Sequence, residues 1–189
     1  RCIHCRMHAN QCICSLIPSL SLDTRVVVLM HRREWSKTTA TAHLAGRALS
    51  NFEIRIHGEQ SAPIQLDDLL TADRRPLLLF PATDARELSR EIVDADPRPI
   101  TLIVPDGTWG QTRRMPKRIP RLNEVAAVTL PADAPSRYRL RHEPLKGGLA
   151  TYEAIARALG VIESPSVREA LEQPFDAMVS RTIASRGLT

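Results

Sequence analysis

This chain contains no long apolar segment. Its apolar runs, such as Val26-Val27-Val28-Leu29-Met30 and Leu77-Leu78-Leu79-Phe80, are strand-sized and fall far below the roughly 20 residues that a spanning helix needs. A membrane protein is therefore excluded and a soluble one expected. No signal-peptide hydrophobic region stands at the start, although the chain opens on Arg1 and not on Met, so native residues are expected ahead of it. Beyond residue 14 there is no cysteine, which argues against a secreted fold, whose disulfide staples would be spread along the whole chain. A cytoplasmic location is the resulting expectation. Internal repeats, linkers and low-complexity tracts are absent as well. What remains suits one compact enzyme domain with a small appendage, because 189 residues with 43% hydrophobic composition are ample for a core. Lys and Arg outnumber Asp and Glu by 26 to 21, which favours a polyanionic partner.

All four cysteines fall within the first fourteen residues, as Cys2-x-x-Cys5 and Cys12-x-Cys14. Two tight pairs can fold as facing knuckles around one tetrahedral ion, so the pattern reads as a structural zinc site on Cys2, Cys5, Cys12 and Cys14. The alternatives are redox pairs or a site left empty. His4 and His8 compete as ligands, but four thiolates are preferred because His4 lies between two cysteines that already hold a knuckle. Residues 1–20 then form a zinc-binding knuckle and residues 21–189 the main domain.

Past the knuckle, strand and helix signals alternate. Arg25 to Met30, Phe52 to His57, Leu77 to Phe80 and Val125 to Leu130 read as strands, and Pro99-Ile100-Thr101-Leu102-Ile103-Val104-Pro105 as a further, central one. Helical signals cover Thr38 to Ser50, a short turn at Leu66 to Leu70, and Asp84 to Val93. Tyr152, Ile155, Ala156 and Leu159 form the stripe of another helix, with Gly160 as its stop. Ser164-Pro165 opens a last helix, with Val167, Ala170 and Leu171 in its stripe, which Pro174 is expected to break or kink. The alternation predicts an α/β fold, a mostly parallel sheet flanked by helices.

Asp106-Gly107-Thr108-Trp109-Gly110-Gln111 follows the central strand. Ligands of open α/β sheets bind beyond the carboxyl ends of the strands, where such a loop aims polar groups into a cleft. Gly107 allows close backbone approach, and Thr108, Trp109 and Gln111 bring a hydroxyl, a stacking plane and an amide. The plainer reading is a turn whose Asp caps the next helix and whose Trp plugs the core. Further polar segments surround it in sequence: His31-Arg32-Arg33-Glu34 with Thr38, Thr39 and Thr41 behind, Ser136-Arg137-Tyr138-Arg139-Leu140-Arg141, and Leu149-Ala150-Thr151-Tyr152-Glu153-Ala154.

In this order, with the cysteine-rich start, these motifs resemble the DTW-domain family, roughly from Cys2 to the helix after Glu153. Lys37-Thr38-Thr39 stands where the family pattern has an Asn-Thr pair, and Ala150 where it has Ser. The resemblance implies a tRNA-uridine aminocarboxypropyltransferase, an S-adenosylmethionine-dependent enzyme with a SPOUT-like fold and a trefoil knot near the C-terminal half. The group moved would be 3-amino-3-carboxypropyl, the acceptor ring nitrogen 3 of a uridine in the variable loop or D-loop, and the by-product methylthioadenosine. It further implies cofactor contacts at Phe80, Pro81, Ala82, Asp106, Gly107, Thr108, Trp109, Gln111, Leu140, Leu149, Ala150 and Thr151.

The nucleophile of that reaction is an imide nitrogen that must lose its proton, and Asp106 is the best-placed carboxylate. At its ordinary pKa of about 3.9 an Asp is a feeble base. Apolar walls from Phe80, Val104 and Trp109 would raise it; otherwise it orients the uridine while the sulfonium drives the step. Glu34 and Glu153 are the second candidates, each also readable as an ion-pair or capping residue. For RNA, the cationic run Arg113, Arg114, Lys117 and Arg118 suits phosphate, and its prolines make a charged loop the expectation. Arg137 and Arg139 share one side of an extended segment, and Tyr138 either stacks on a base or packs. His31 binds the cofactor's carboxylate or the RNA backbone, or bonds locally. Two other readings stand beside the transferase: an S-adenosylmethionine-dependent RNA methyltransferase, and a zinc-bearing RNA-binding protein without catalysis.

Overall fold

A computed structural model of the chain describes residues 1–37, 40–59, 62–138, 140 and 148–187. Thr38, Thr39, Arg139 and Arg141 lie outside them. The chain falls into two compact units. One comprises Leu22–Lys37 and Asn51–Pro131, the other Arg1–Ser21, Thr38–Ser50 and Ala132–Thr189. No helix among the described residues is long and apolar enough to cross a membrane.

The first unit is built on a six-stranded, all-parallel sheet: β1 (Arg25–His31), β2 (Phe52–His57), β3 (Arg75–Leu79), β4 (Arg86–Glu87), β5 (Ile100–Asp106) and β6 (Ala126–Thr129), in the order β2-β1-β5-β3-β6-β4. The α/β class and the parallel sheet are as the alternating pattern predicts. Val26 to Met30 and Ile100 to Val104 are buried along their whole lengths, as expected of strands covered on both faces. From β1 the chain moves outward to β2, and from β3 it moves the other way, so the direction of travel reverses about β5. Ligand crevices of open α/β sheets form at such reversals. On one face Val27, Leu29, Leu78 and Ile103 pack with Ile64, Leu66 and Leu69 and with Met115, Ile119 and Leu122.

Three expectations need correction here. Residues 84–89 are not helical. Arg86–Glu87 forms the edge strand β4 on β6, and the amide of Leu88 donates to Thr129 O at 2.8 Å, so only Arg90–Asp94 (α2) is helix, capped by Ser89 Oγ accepting from Ile92 N. The central strand runs through Pro105 to Asp106, which lies opposite Met30 of β1. The cationic run is not purely loop: after α3 (Trp109–Thr112), Met115–Arg118 forms a short helix, α4. Pro116 is tolerated because it sits in the first turn, where the missing N–H has no helical partner to lose.

The second unit holds α1 and two long helices. Within Thr38 to Ser50 the helix covers Ala42–Ala48 (α1). Thr151–Ile162 (α5) buries Tyr152, Ile155, Ala156 and Leu159, as their spacing predicts. It does not stop at Gly160. A Cβ built there would come within 2.8 Å of Arg168 Cβ, so this glycine serves the close crossing of α5 with the next helix and not a C-cap. That helix, Pro165–Ser185 (α6), continues through Pro174. Buried Leu171, Phe175 and Val179 line the stripe that holds α6 despite the lost hydrogen bond. Tyr152 stacks on Phe175 with ring centroids 5.4 Å apart and donates its hydroxyl to Leu171 O at 2.9 Å. Burial raises the Tyr152 pKa, so the phenol stays protonated.

Candidate active site

At the end of β5, Asp106 is 8% exposed and Gly107 follows at a tight approach. A Cβ on Gly107 would meet Gln111 Oε1 at 2.9 Å and His31 Cβ at 3.4 Å, so no larger residue fits without displacing its neighbours. Gln111 turns its amide oxygen back to accept from Thr108 N at 2.7 Å, which fixes the first turn of α3. The side chain expected to reach for a cofactor thus has a capping role as well. Trp109 remains 39% exposed and stacks on Phe80, with centroids 5.5 Å apart and planes at 20°. It is therefore not the core plug of the plainer reading. Pro81 is exposed and Ala82 half-buried in the loop after β3. Phe80 N donates to Val128 O at 2.9 Å, which anchors that loop to β6.

The loop after β1 brings His31 and Glu34. Arg33 N donates to His31 Nδ1 at 3.2 Å, which leaves the Nε2 side of the neutral ring as the donor. His57 stands edge-on to it, with centroids 6.2 Å apart. Burial and the cations Arg33, Arg32 and Arg118 lower the His31 pKa; burial, His31 and Arg118 lower that of His57. Both rings are consequently neutral at pH 7. Glu34 is 1% exposed and accepts from Lys37 Nζ at 2.6 Å, so its ion-pair reading is realised. Arg113, Arg114, Lys117 and Arg118 are all exposed, and none has a carboxylate within 4.0 Å among the described residues. Exposed Arg32 and Arg33 extend this cationic face, and the neutral ring of His57 lies beside it. The sequence motifs do not single these three out for RNA, and the signal that would is the position of Arg32 and Arg33 directly after the buried strand β1.

In the other unit Glu153 is 4% exposed. Its carboxylate accepts from Ser136 Oγ at 2.5 Å, Arg137 N at 2.8 Å and Ala150 N at 3.1 Å. Ala150, standing where the family pattern has Ser, has no side-chain oxygen for the helix N-terminus, and Glu153 binds its amide from the third helical position. Arg137 is held by Asp176 at 2.5 Å and Glu172 at 3.1 Å. Tyr138 lies 5.9 Å from Phe175, ring to ring. Leu140, Leu149, Ala150 and Thr151 are half-buried, and Thr41 Oγ1 accepts from Tyr152 N at 3.2 Å.

The four cysteines form no disulfide, and their sulfurs all lie within 4.8 Å of one another. The pairs Cys2–Cys14 and Cys5–Cys12 are 3.6 and 3.7 Å apart. Four thiolates each about 2.3 Å from one tetrahedral ion would stand roughly 3.8 Å apart, so the donor set and spacing fit zinc. Backbone N–H groups of Cys5 and His4 aimed at the Cys2 sulfur lower its pKa to about 6, while burial and the neighbouring thiols push Cys14 to about 12.

Residues 1–183 match the DTW domain, and the chain belongs to that family. Among curated proteins it is 27% identical to tRNA-uridine aminocarboxypropyltransferase 2 of Macaca fascicularis over 95% of this chain and 62% of that protein. It is 29% identical to the protein of the same name in Drosophila melanogaster, over 94% and 73% of the two chains. With tRNA-uridine aminocarboxypropyltransferase A of Arabidopsis thaliana it shares 26% identity over 86% and 72%. The chain thus spans about three fifths of the macaque relative's length. No solved structure matches it.

Proposed function

We propose that the protein is a tRNA-uridine aminocarboxypropyltransferase, with tRNA as its polyanionic substrate and the cytoplasm as its place of work. The observation that carries this reading is the arrangement at the end of β5. A buried carboxylate, a glycine approach and an exposed indole follow one another on a central strand, in a unit that also presents unpaired cations. These residues fit S-adenosylmethionine: an aromatic face suits its adenine and Asp106 complements its positive sulfonium. When bound, that group supplies a carbon activated by the sulfonium. Phe80, Pro81, Ala82 and residues 106–109 with Gln111 would hold it, and the family resemblance implies contacts from Leu140, Leu149, Ala150 and Thr151. Asp106 takes or shares the uridine N3 proton as the nitrogen–carbon bond forms and the carbon–sulfur bond breaks. Arg113, Arg114, Lys117 and Arg118, with His31, position the tRNA backbone.

Glu34 and Glu153 act in this account as positioning carboxylates. We further propose that residues 1–20 hold structural zinc through Cys2, Cys5, Cys12 and Cys14, and that residues 21–189 form the catalytic part, with a SPOUT-like knotted topology. Incubation with unmodified tRNA and S-adenosylmethionine labelled in its aminocarboxypropyl carbons tests the reading. Nucleoside mass spectrometry should show label on uridine. A labelled methyl group on the nucleoside, after the equivalent methyl-labelled incubation, would establish a methyltransferase instead, and no modification despite tight tRNA binding would leave a binding protein.

A further inference from the structure

The unit formed by Arg1–Ser21, Thr38–Ser50 and Ala132–Thr189 contains a cavity of about 270 Å³ that shares only Leu140 with the residues given above to the cofactor. It lies between the cysteine knuckle and the end of α6. Buried Met7 and Leu44 and half-buried Met178 line it together with the polar side chains of Gln11, Thr41, His43 and Thr182. Tyr138 forms a further wall, and its ring is steadied by Phe175. Arg1, Arg6 and Arg186 also line it, with exposed His4 and His8, and no Asp or Glu among the described residues does. None of the three arginines is ion-paired among the described residues.

The walls are tied together. Gln11 Nε2 donates to Arg181 O at 3.1 Å, and Arg181 Nη1 donates back to Gln11 O at 3.3 Å and to Cys12 O. Thr182 Oγ1 donates to Met178 O at 2.7 Å and lies 3.9 Å from Met7 Sδ. Arg6 adopts a left-handed backbone, with φ of 62°, inside a turn closed by Cys2 N to Met7 O and Arg6 N to Cys2 O. The knuckle's fold therefore sets where this guanidinium emerges.

A tyrosine-walled lining that offers both apolar faces and hydrogen-bonding side chains, beside cations without ion-pair partners among the described residues, matches a base attached to a phosphate. Its volume, near the roughly 300 Å³ lower end of small-ligand sites, holds one such base. A ligand bearing a sulfonium cation would meet three arginines here, which disfavours S-adenosylmethionine. We propose that this cavity receives one unpaired nucleotide of the tRNA, its base against Met7, Leu44, Met178 and Tyr138, its phosphate among Arg1, Arg6 and Arg186. The proposal rests on tRNA being the substrate.

Two variants test it, made in the full chain and checked for unchanged metal content and melting temperature. Arg6→Ala with Arg186→Ala removes cations; Ser185→Trp, on the exposed cavity-lining turn of α6, fills the space and leaves charge unaltered. Fluorescence anisotropy measures binding of a tRNA transcript at several salt concentrations, and calorimetry measures S-adenosylmethionine. Both variants should weaken tRNA binding by about tenfold or more, and only the arginine variant should flatten the salt dependence, by about one unit of slope for each phosphate no longer neutralised. Cofactor affinity should hold in both. If tRNA affinity is unchanged in both variants while Arg113→Ala with Arg118→Ala still lowers it, the cavity is not an RNA site, yet the tRNA reading survives. Loss of cofactor affinity with tRNA binding intact would give the cavity to the cofactor and overturn the proposal. Failure of the unaltered protein to bind tRNA would overturn both readings together.

Discussion

Arg113, Arg114, Lys117 and Arg118 stand exposed beyond β5 with no carboxylate in ion-pair range among the described residues. Arg137, just ahead of α5, is gripped by Glu172 and Asp176. The carboxylates of the same two segments differ as well. Asp106 ends a central strand beside a glycine, whereas Glu153 gathers Ser136, Arg137 and Ala150 onto the start of α5. Exposed cations without ion-pair partners repel one another and add nothing to folding, and such a cluster suits the phosphates of the proposed tRNA substrate. Paired cations and saturated carboxylates instead fix a scaffold. The proposed function places chemistry and phosphate binding on the segment after β5, and the hydrogen bonds of Glu153 give its segment a part in local architecture.

The widest test of that contrast substitutes the two carboxylates in parallel. At saturating cofactor, Asp106→Asn should lower turnover roughly 100- to 10,000-fold with tRNA affinity preserved, and the residual rate should climb with pH as uridine ionises by itself. Glu153→Gln should chiefly lower stability, by about 1–3 kcal/mol, because one of its oxygens becomes a donor facing donors. A Glu153→Gln protein of normal melting temperature and equally crippled rate would break the comparison. Next in size, Cys5→Ser or Cys12→Ser should release roughly one zinc equivalent, measured by elemental analysis of the purified protein, and loosen the knuckle.

The cations give a smaller and more discriminating pair. Arg113→Ala with Arg118→Ala should weaken tRNA binding and reduce the salt slope by about one for each phosphate no longer neutralised. Arg137→Ala should leave that slope alone and cost no more than about 1 kcal/mol of stability, as for an exposed ion pair. The reverse pattern would exchange the roles of the two segments.

The least effect is one of pH. His31 and His57 have folded pKa values below their unfolded ones, so the folded state binds fewer protons and stability falls as pH drops below about 6.5. A phosphate beside Arg32, Arg33 and Arg118 offsets the repulsion that holds His31 down. tRNA affinity should then rise modestly between pH 7.5 and 6. His31→Ala should flatten that rise, as titrations at constant ionic strength would show.

Much of this was legible in the sequence. The buried strands announce themselves as apolar runs, and Asp106-Gly107 marks the end of the central one. Edge strand β4 does not, because two exposed residues carry no periodicity and the spacing of Leu88 and Ile92 imitates a helix. Gly160 reads as a helix stop, although its reason is the approach of Arg168 from another helix. The pairing of Arg137 depends on carboxylates 35 and 39 residues away, a tertiary fact with no local signature. The cavity is hidden for the same reason, since its walls come from the knuckle, α1, the segment before α5 and the end of α6.

The claim that matters most is which sulfonium substituent moves, and the small molecule left behind reports it. Purified protein incubated with unmodified tRNA and S-adenosylmethionine should release methylthioadenosine in step with uridine modification, and Asp106→Asn should suppress both together. Release of S-adenosylhomocysteine in its place would contradict the account.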